Sequence, residues 1–207
     1  STHRDVLMSV GRNTDPLKTS QTVEKLVAMQ NLILHLDLIA GLPGESFEQF
    51  GNSFDQTYRL HPTALQTGIL KILKGTRMEQ IARQRGYRYS SVPPYRVFAT
   101  DTVSVEEMYR IEDIGKLVDR YHNSGAFPSM LKTAIPEGES AFGFFDRLGL
   151  AWREQGLFDR AVSQEEAAAF LLVFLQGSQE AKSALISDFP RLAETREWER
   201  FCRRRYG

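Results

Sequence analysis

The residues best suited to chemistry lie in a short glycine- and proline-containing loop that starts at Gly41 and ends at Ser46. Glycines let a backbone approach a ligand closely and adopt positive φ angles. A helix predicted to begin at Ser46 would add unpaired N–H groups and the positive end of its dipole. This combination fits an anion site, and it fits a plain strand-to-helix turn equally well, so both interpretations stay open.

A second candidate lies at residues 70–76, where a predicted strand ends. Lys71 or Lys74 could meet an anionic group, while Gly75 and Thr76 could line a pocket. The alternative is that both lysines are solvated and that Gly75 only forms a turn.

Two titratable residues fall inside the predicted strand that precedes the glycine-containing loop. His35 and Asp37 are two positions apart, so they share a strand face, and such a pair can do acid–base work. A carboxylate in an apolar strand must be hydrogen-bonded or paired, which favours a structural role in which Asp37 anchors a neighbouring loop; otherwise it points toward a site.

The sequence gives little indication of a metal site, a phosphate-binding loop or a nucleophilic triad. The four histidines and the single cysteine, Cys202, show no metal-ligand spacing, and no phosphate-binding loop or Ser/His/Asp arrangement is indicated. Cys202 precedes three arginines that could lower its pKa, although an incidental terminal thiol is the simpler interpretation. From Arg191 onward the sequence contains six arginines and three glutamates. The excess of positive charge could contact RNA or an acidic partner, or it could only stabilise the C-terminus of a helix.

Composition sets the broad class. The chain has 207 residues, 42% hydrophobic and 25% charged, with a formal net charge of zero. These values are ordinary for a globular protein and do not indicate a general nucleic-acid or membrane field. No apolar run approaches the roughly 20 residues that span a bilayer. One cysteine favours a reducing compartment, so we expect a cytoplasmic protein. The start at Ser1 rather than Met fits a processed or an excised chain, and we expect an excised part of a longer polypeptide.

The first hundred residues alternate between predicted helices and strands. Residues 32–40 are nearly continuously apolar and short, which predicts a parallel strand buried on both faces. An intervening helix leads to a second apolar run, which predicts a parallel pair with a right-handed crossover. The predicted helices cover residues 15–30, 46–60 and 77–85, and the predicted strands cover 32–40, 64–73, 87–90 and 96–100.

After Thr100 the pattern becomes helical throughout. Capping-box sequences begin at Ser104 and Ser163, and apolar residues follow each at helical spacing. The predicted fold class is therefore α/β followed by all-α, helix-dominated overall, with one domain at residues 1–100 and another at 101–207. The predicted helices are 104–121, 127–134, 140–155, 167–175, 178–189 and 191–204.

The sequence His-Leu-Asp-Leu-Ile-Ala-Gly-Leu-Pro-Gly-Glu at residues 35–45 resembles the fifth strand and glycine-rich loop of the radical-SAM partial barrel. Residues 1–15 resemble the segment just past the fourth strand, and residues 65–76 resemble the sixth strand. The helical remainder, including residues 120–125, is similar to a C-terminal domain of unknown function in the subgroup whose upstream region binds cobalamin. The resemblance implies the tail of a partial (β/α) barrel followed by a helical domain.

The resemblance also implies a site. The ends of the fifth and sixth strands contact the adenosyl part of S-adenosylmethionine in that family. The resemblance implies a parent enzyme that uses S-adenosylmethionine and a [4Fe-4S] cluster, in a subgroup whose upstream region binds cobalamin. This chain lacks the Cys-x3-Cys-x2-Cys motif that holds the cluster. We therefore expect no cofactor, no metal ligand and no catalytic residue in this chain alone, and whether it is an enzyme stays open. The implied contacts are Ile39, Ala40, Gly41, Leu42, Leu70, Lys71 and Ile72.

The expected function is that of an enzyme fragment, inactive by itself, which supplies one side of the S-adenosylmethionine pocket and a helical substrate- or partner-docking domain. Its expected partners are the missing N-terminal part of the same polypeptide and, through the exposed strand edge, a second copy. No membrane or nucleic-acid partner is expected. Two alternatives remain: an autonomous helical module that binds protein or RNA, and a small non-radical α/β enzyme with an anion site at residues 41–46.

Overall fold

The computed structural model describes residues 1–29 and 31–190. Its first half mixes helices with short strands, and its second half is helical. The elements of the first half are α1 (Arg4–Ser9), α2 (Pro16–Ala28), β1 (His35–Ala40), α3 (Phe47–Tyr58), β2 (Ala64–Ile69), α4 (Arg77–Gln84), β3 (Arg88–Tyr89) and β4 (Val97–Ala99). Those of the second half are α5 (Val105–Val118), a π-helical turn (Asp119–Asn123), α6 (Pro128–Ala134), α7 (Ala141–Glu154), a 3-10 turn (Leu157–Asp159), α8 (Gln164–Phe174) and α9 (Gln179–Asp188).

The predicted fold class, a helix-dominated α/β chain with a small parallel sheet, is confirmed. Strands β1 and β2 pair in parallel, with His35 opposite Ala64 and Ala40 opposite Ile69. The crossover helix α3 starts with a capping box between Ser46 and Gln49. Within the described ranges the strands form no closed barrel.

The prediction that residues 32–40 are buried on both faces is wrong. Only the residues at 36, 38 and 40 pack into the core, whereas His35, Asp37 and Ile39 are exposed on the other face. A strand is buried on both faces only where layers cover both, and here the core helices cover one. Residues 32–34 precede the strand.

The outer edge of β2 is occupied near its start and just beyond its end. Near its start, the side-chain amide of Asn123 bonds to both the N–H and the C=O of Leu65, at 2.9 and 3.0 Å. Beyond its end, Ile72 N–H donates to Tyr95 O and Val97 N–H donates to Leu70 O, at 2.8 and 3.0 Å. This change of partner explains why β2 ends at Ile69 rather than at residue 73. Among the described residues no strand pairs with the other edge of β1.

One hydrophobic cluster contains residues from both halves of the chain. The Phe142 ring of α7 lies against Phe47, Phe50 and Phe54 of α3, with centroids 5.0, 6.0 and 5.6 Å away. Gly51 permits this approach because a Cβ there would lie 2.7 Å from the Phe142 ring. The division at residue 100 stays a prediction.

Two further differences concern the ends of the chain. Helix α1 was not predicted, since six residues are too few for a clear apolar period. The helix predicted at 191–204, the arginine-rich segment and Cys202 lie outside the described residues. No helix in the described ranges has the length and apolar character needed to cross a membrane.

Candidate functional site

A cavity of about 240 Å³ lies over the open face of β1, at the end of the strand. Asp37 and Ile39 come from the strand, while Leu42 and Leu70 come from the chain just past the ends of β1 and β2. The carboxyl ends of parallel strands meet at one edge of a sheet, which is where α/β proteins bind ligands.

Two short helices complete the walls of the cavity. Leu7 belongs to α1, and Met78 and Ile81 belong to the inner side of α4. Helix α4 begins here because the Thr76 hydroxyl caps it, accepting a bond from Glu79 N–H at 3.3 Å. The cavity therefore has an apolar interior between a sheet and two helices.

Charged groups stand around this apolar interior. Arg12 and Arg77 line the cavity, and neither guanidinium forms a hydrogen bond or ion pair with any other part of the described chain. Asp37 lines it too and is similarly without a described partner, so the expectation that this carboxylate is buried and paired does not hold. Two free guanidinium groups and one free carboxylate can bind a ligand that carries both a negative and a positive group.

The residues implied by the resemblance divide between three environments. Ile39, Leu42 and Leu70 line the cavity. Gly41, at φ 92°, packs where a Cβ would lie 3.5 Å from Leu70 Cβ. The others point elsewhere: Ala40 and Ile72 are buried in the core, and Lys71 is exposed beside Arg96. Whether these residues bind a cofactor stays a prediction.

Sequence reasoning missed the two arginines. Arg12 follows the unpredicted helix α1, and Arg77 opens α4 just after its N-cap. Nothing in their spacing relates them, since 65 positions separate them in the chain. Only the folding of both segments over β1 brings them to one cavity.

Several hydrogen-bonding groups at the end of the loop of residues 41–46 have partners within the described chain, although the buried Glu45 Oε2 has none. Ser46 N–H donates to Gln49 Oε1 at 3.0 Å, and Gln49 N–H donates to Ser46 Oγ at 3.2 Å. Thr102 Oγ1 donates to Glu45 O at 2.8 Å. The Glu45 side chain is 1% exposed, and its burial raises the pKa of the carboxyl group. These contacts do not favour an anion site at the start of α3.

The remaining candidates lie apart from one another. The Gly75 N–H donates to Glu79 Oε2 at 2.7 Å, which fits the turn interpretation of residues 74–76. His35 shares the open face with Asp37, as predicted, but no hydrogen bond joins them. Across the described ranges no group of three His, Cys, Asp or Glu residues could hold a metal ion.

In a comparison with known families, residues 83–206 match a family described as a protein of unknown function (DUF4080). The match therefore includes α5 to α9 and the β3–β4 hairpin, whereas the β1–β2 pair lies before it. A comparison with curated proteins finds no match. Because the matched residues make up more than half of its length, the chain belongs to the DUF4080 family.

Proposed function

We propose that this chain is the C-terminal part of a radical-SAM enzyme of the cobalamin-binding type. It would supply the fifth- and sixth-strand wall of the S-adenosylmethionine pocket and would be inactive by itself. The observation that carries the proposal is the cavity on the open face of β1, which Ile39, Leu42 and Leu70 line at the ends of two adjacent parallel strands.

The edges of the sheet support the same interpretation. Asn123 occupies the start of the outer edge of β2 and the segment around Tyr95 occupies the chain beyond its end, which leaves little room for a further strand there. Within the described ranges no strand pairs with the opposite edge of β1, whose backbone groups can accept a neighbour. A sheet that can add a strand at one edge but not at the other is what we expect of the last two strands of a partial barrel. The preceding strand of the same polypeptide would then be the partner of β1, and a second copy of the chain is the other predicted partner.

The chemistry of the cavity suits part of S-adenosylmethionine. The aliphatic side chains would pack against the adenosyl group. Arg12 and Arg77 would bind the carboxylate of the methionine part, and Asp37 would face its positively charged groups. In the related family this cofactor supplies a 5′-deoxyadenosyl radical when it is bound to a cluster.

The residues of this chain cannot hold the iron–sulfur cluster of the related family. Three cysteines are needed to hold it in the related family, and these 207 residues contain one, Cys202. We therefore assign no radical step to these residues, whose role would be to bind and orient the adenosyl group. The single cysteine also favours a cytoplasmic protein.

An NMR titration of methyl-labelled protein with S-adenosylmethionine tests the proposal. We expect weak binding, because only one wall of the pocket is present, with methyl shifts at Ile39, Leu42 and Leu70 and none at the exposed control residues Leu150 and Ile186. Arg12→Gln and Arg77→Gln should each weaken binding, whereas the exposed control Lys18→Gln should not. Shifts spread evenly over the surface would contradict the assignment.

The gene offers an independent check. The reading frame upstream of Ser1 should encode a Cys-x3-Cys-x2-Cys motif. A gene in which translation starts close to Ser1 would rule out the parent enzyme, whatever the titration shows.

A further inference from the structure

Positive charge is concentrated in one part of this neutral chain. Residues 62–100 contain seven lysines and arginines and a single acidic residue, Glu79, although the formal net charge of the whole chain is zero. The segment includes β2, α4 and the β3–β4 hairpin, which are adjacent in the fold. The chain is therefore neutral as a whole but contains a strongly basic region.

Only part of this charge is neutralised. Arg83, Arg85 and Arg96 pair with Glu79, Asp101 and Glu112 at 2.7, 2.6 and 2.6 Å. Within the described chain, the exposed Lys71, Lys74 and Arg88 form no ion pair. Glu79 neutralises the positive charge of Lys74 only in part, because the Glu79 carboxylate is already bonded to Gly75 N–H and to Arg83. Counting Arg77 at the cavity over β1, four exposed cations of this segment have no ion pair within the described chain, and three of them, Lys71, Lys74 and Arg88, do not line that cavity.

Aromatic rings lie beside two of the basic residues of this region, Lys74 and Arg96. Lys71 is directly opposite Arg96 in an antiparallel bridge. The Lys74 ammonium lies 5.6 Å from the centre of the Tyr95 ring, and the Arg96 guanidinium lies 5.7 Å from the centre of the Tyr109 ring. Tyr109 is 46% exposed, so its ring is available for a further contact. The basic face is defined here as Lys71, Lys74, Arg88, Arg96, Tyr95 and Tyr109.

We propose that the basic face binds single-stranded nucleic acid. Proteins bind single strands by combining cations that follow the phosphates with aromatic side chains on which bases stack. An acidic peptide would use the cations but would have no base to stack on the exposed ring of Tyr109. This inference is independent of the proposed cofactor wall, since none of the six residues lines the cavity over β1.

Fluorescence anisotropy with a labelled single-stranded RNA tests the proposal on the full chain. Three phosphate contacts on a single strand predict a salt slope of about −2, which is about a 20-fold loss of affinity between about 50 and about 200 mM salt. Replacing Lys71, Lys74 and Arg88 together with alanine should remove most of the binding and flatten the slope. A matched control replaces the exposed Lys18, Lys25 and Arg147 with alanine and should bind like the parent protein.

Three outcomes would overturn the proposal: no binding at low salt, an equal loss in the two triple variants, or an affinity for polyglutamate that matches the affinity for RNA. Loss of binding on replacing Arg203, Arg204 and Arg205 would overturn it as well, because the C-terminal arginines would then be the site. Tyr109→Leu should weaken RNA binding about 5-fold or more through lost stacking and leave heparin binding unchanged. Circular dichroism of each variant checks that it is folded.

Discussion

Replacing Asn123 with alanine should destabilise the whole chain, although the side chain is only half-buried. Its amide closes the edge of β2 by accepting from Leu65 N–H at 2.9 Å and donating to Leu65 O at 3.0 Å. Leu65 is 0% exposed. The substitution would leave an N–H and a C=O without partners at a buried position.

The size of the effect follows from these two groups. An unsatisfied buried polar group costs about 1–3 kcal/mol. Water can reach the site of a half-buried side chain and recover part of that, so we expect a loss of about 2–4 kcal/mol in the free energy of unfolding. Such a loss is a large share of the roughly 5–15 kcal/mol by which native proteins are stable.

Urea unfolding followed by circular dichroism measures this loss. Asn52 provides the matched control, because it is exposed on α3 and Asn52→Ala should change stability by no more than about 0.5 kcal/mol. Asn123→Asp keeps the acceptor for Leu65 N–H but loses the donor, so it should also destabilise the chain. A loss below about 0.5 kcal/mol for Asn123→Ala would refute the reasoning that this amide replaces a neighbouring strand.

Two other predictions concern the interior. Burial raises the pKa of Glu45 above its ordinary 4.5, so its contribution to stability is fully present below that value and is lost as the pH rises through the folded-state pKa. Glu45→Gln should therefore stabilise the chain at neutral pH relative to the parent but not below pH 4.5, and parallel pH–stability curves would contradict this. Gly51→Ala should cost about 1–3 kcal/mol because the new Cβ would lie 2.7 Å from the Phe142 ring. Combining it with Phe142→Leu should recover part of the loss in the same urea assay, and strict additivity of the two losses would count against the clash.

Local signals predicted most of the helices. Ser104 N–H donates to Glu107 Oε2 at 2.8 Å and Glu107 N–H donates to Ser104 Oγ at 3.2 Å, which is the capping box read from the sequence. At Ser163 the hydroxyl accepts from Glu166 N–H at 3.1 Å, while the carboxylate of Glu166 bonds to Arg160. Cap and turn interactions join residues a few positions apart, so neighbouring residue types are enough to predict them.

The candidate site was predictable only in part. Ile39, Leu42 and Leu70, which line the cavity, were among the contacts implied by the family resemblance of residues 35–45 and 65–76. The positions of Arg12 and Arg77 at the cavity were not predicted, because they depend on how distant segments of the chain pack together. The same limit explains the error over the faces of β1, since an apolar run does not say how many layers cover it.

The amino-acid sequence by itself determined the helix-dominated α/β class, the parallel strand pair with its glycine turn, and the helical second half, because these depend on periods and caps within short windows. Tertiary structure decided which face of β1 is open, which edge of the sheet is closed and which charges meet. The amide of Asn123 lies 58 positions from the backbone groups that it satisfies. Such a pairing depends on the packing of α5 against the sheet, and no local pattern contains it.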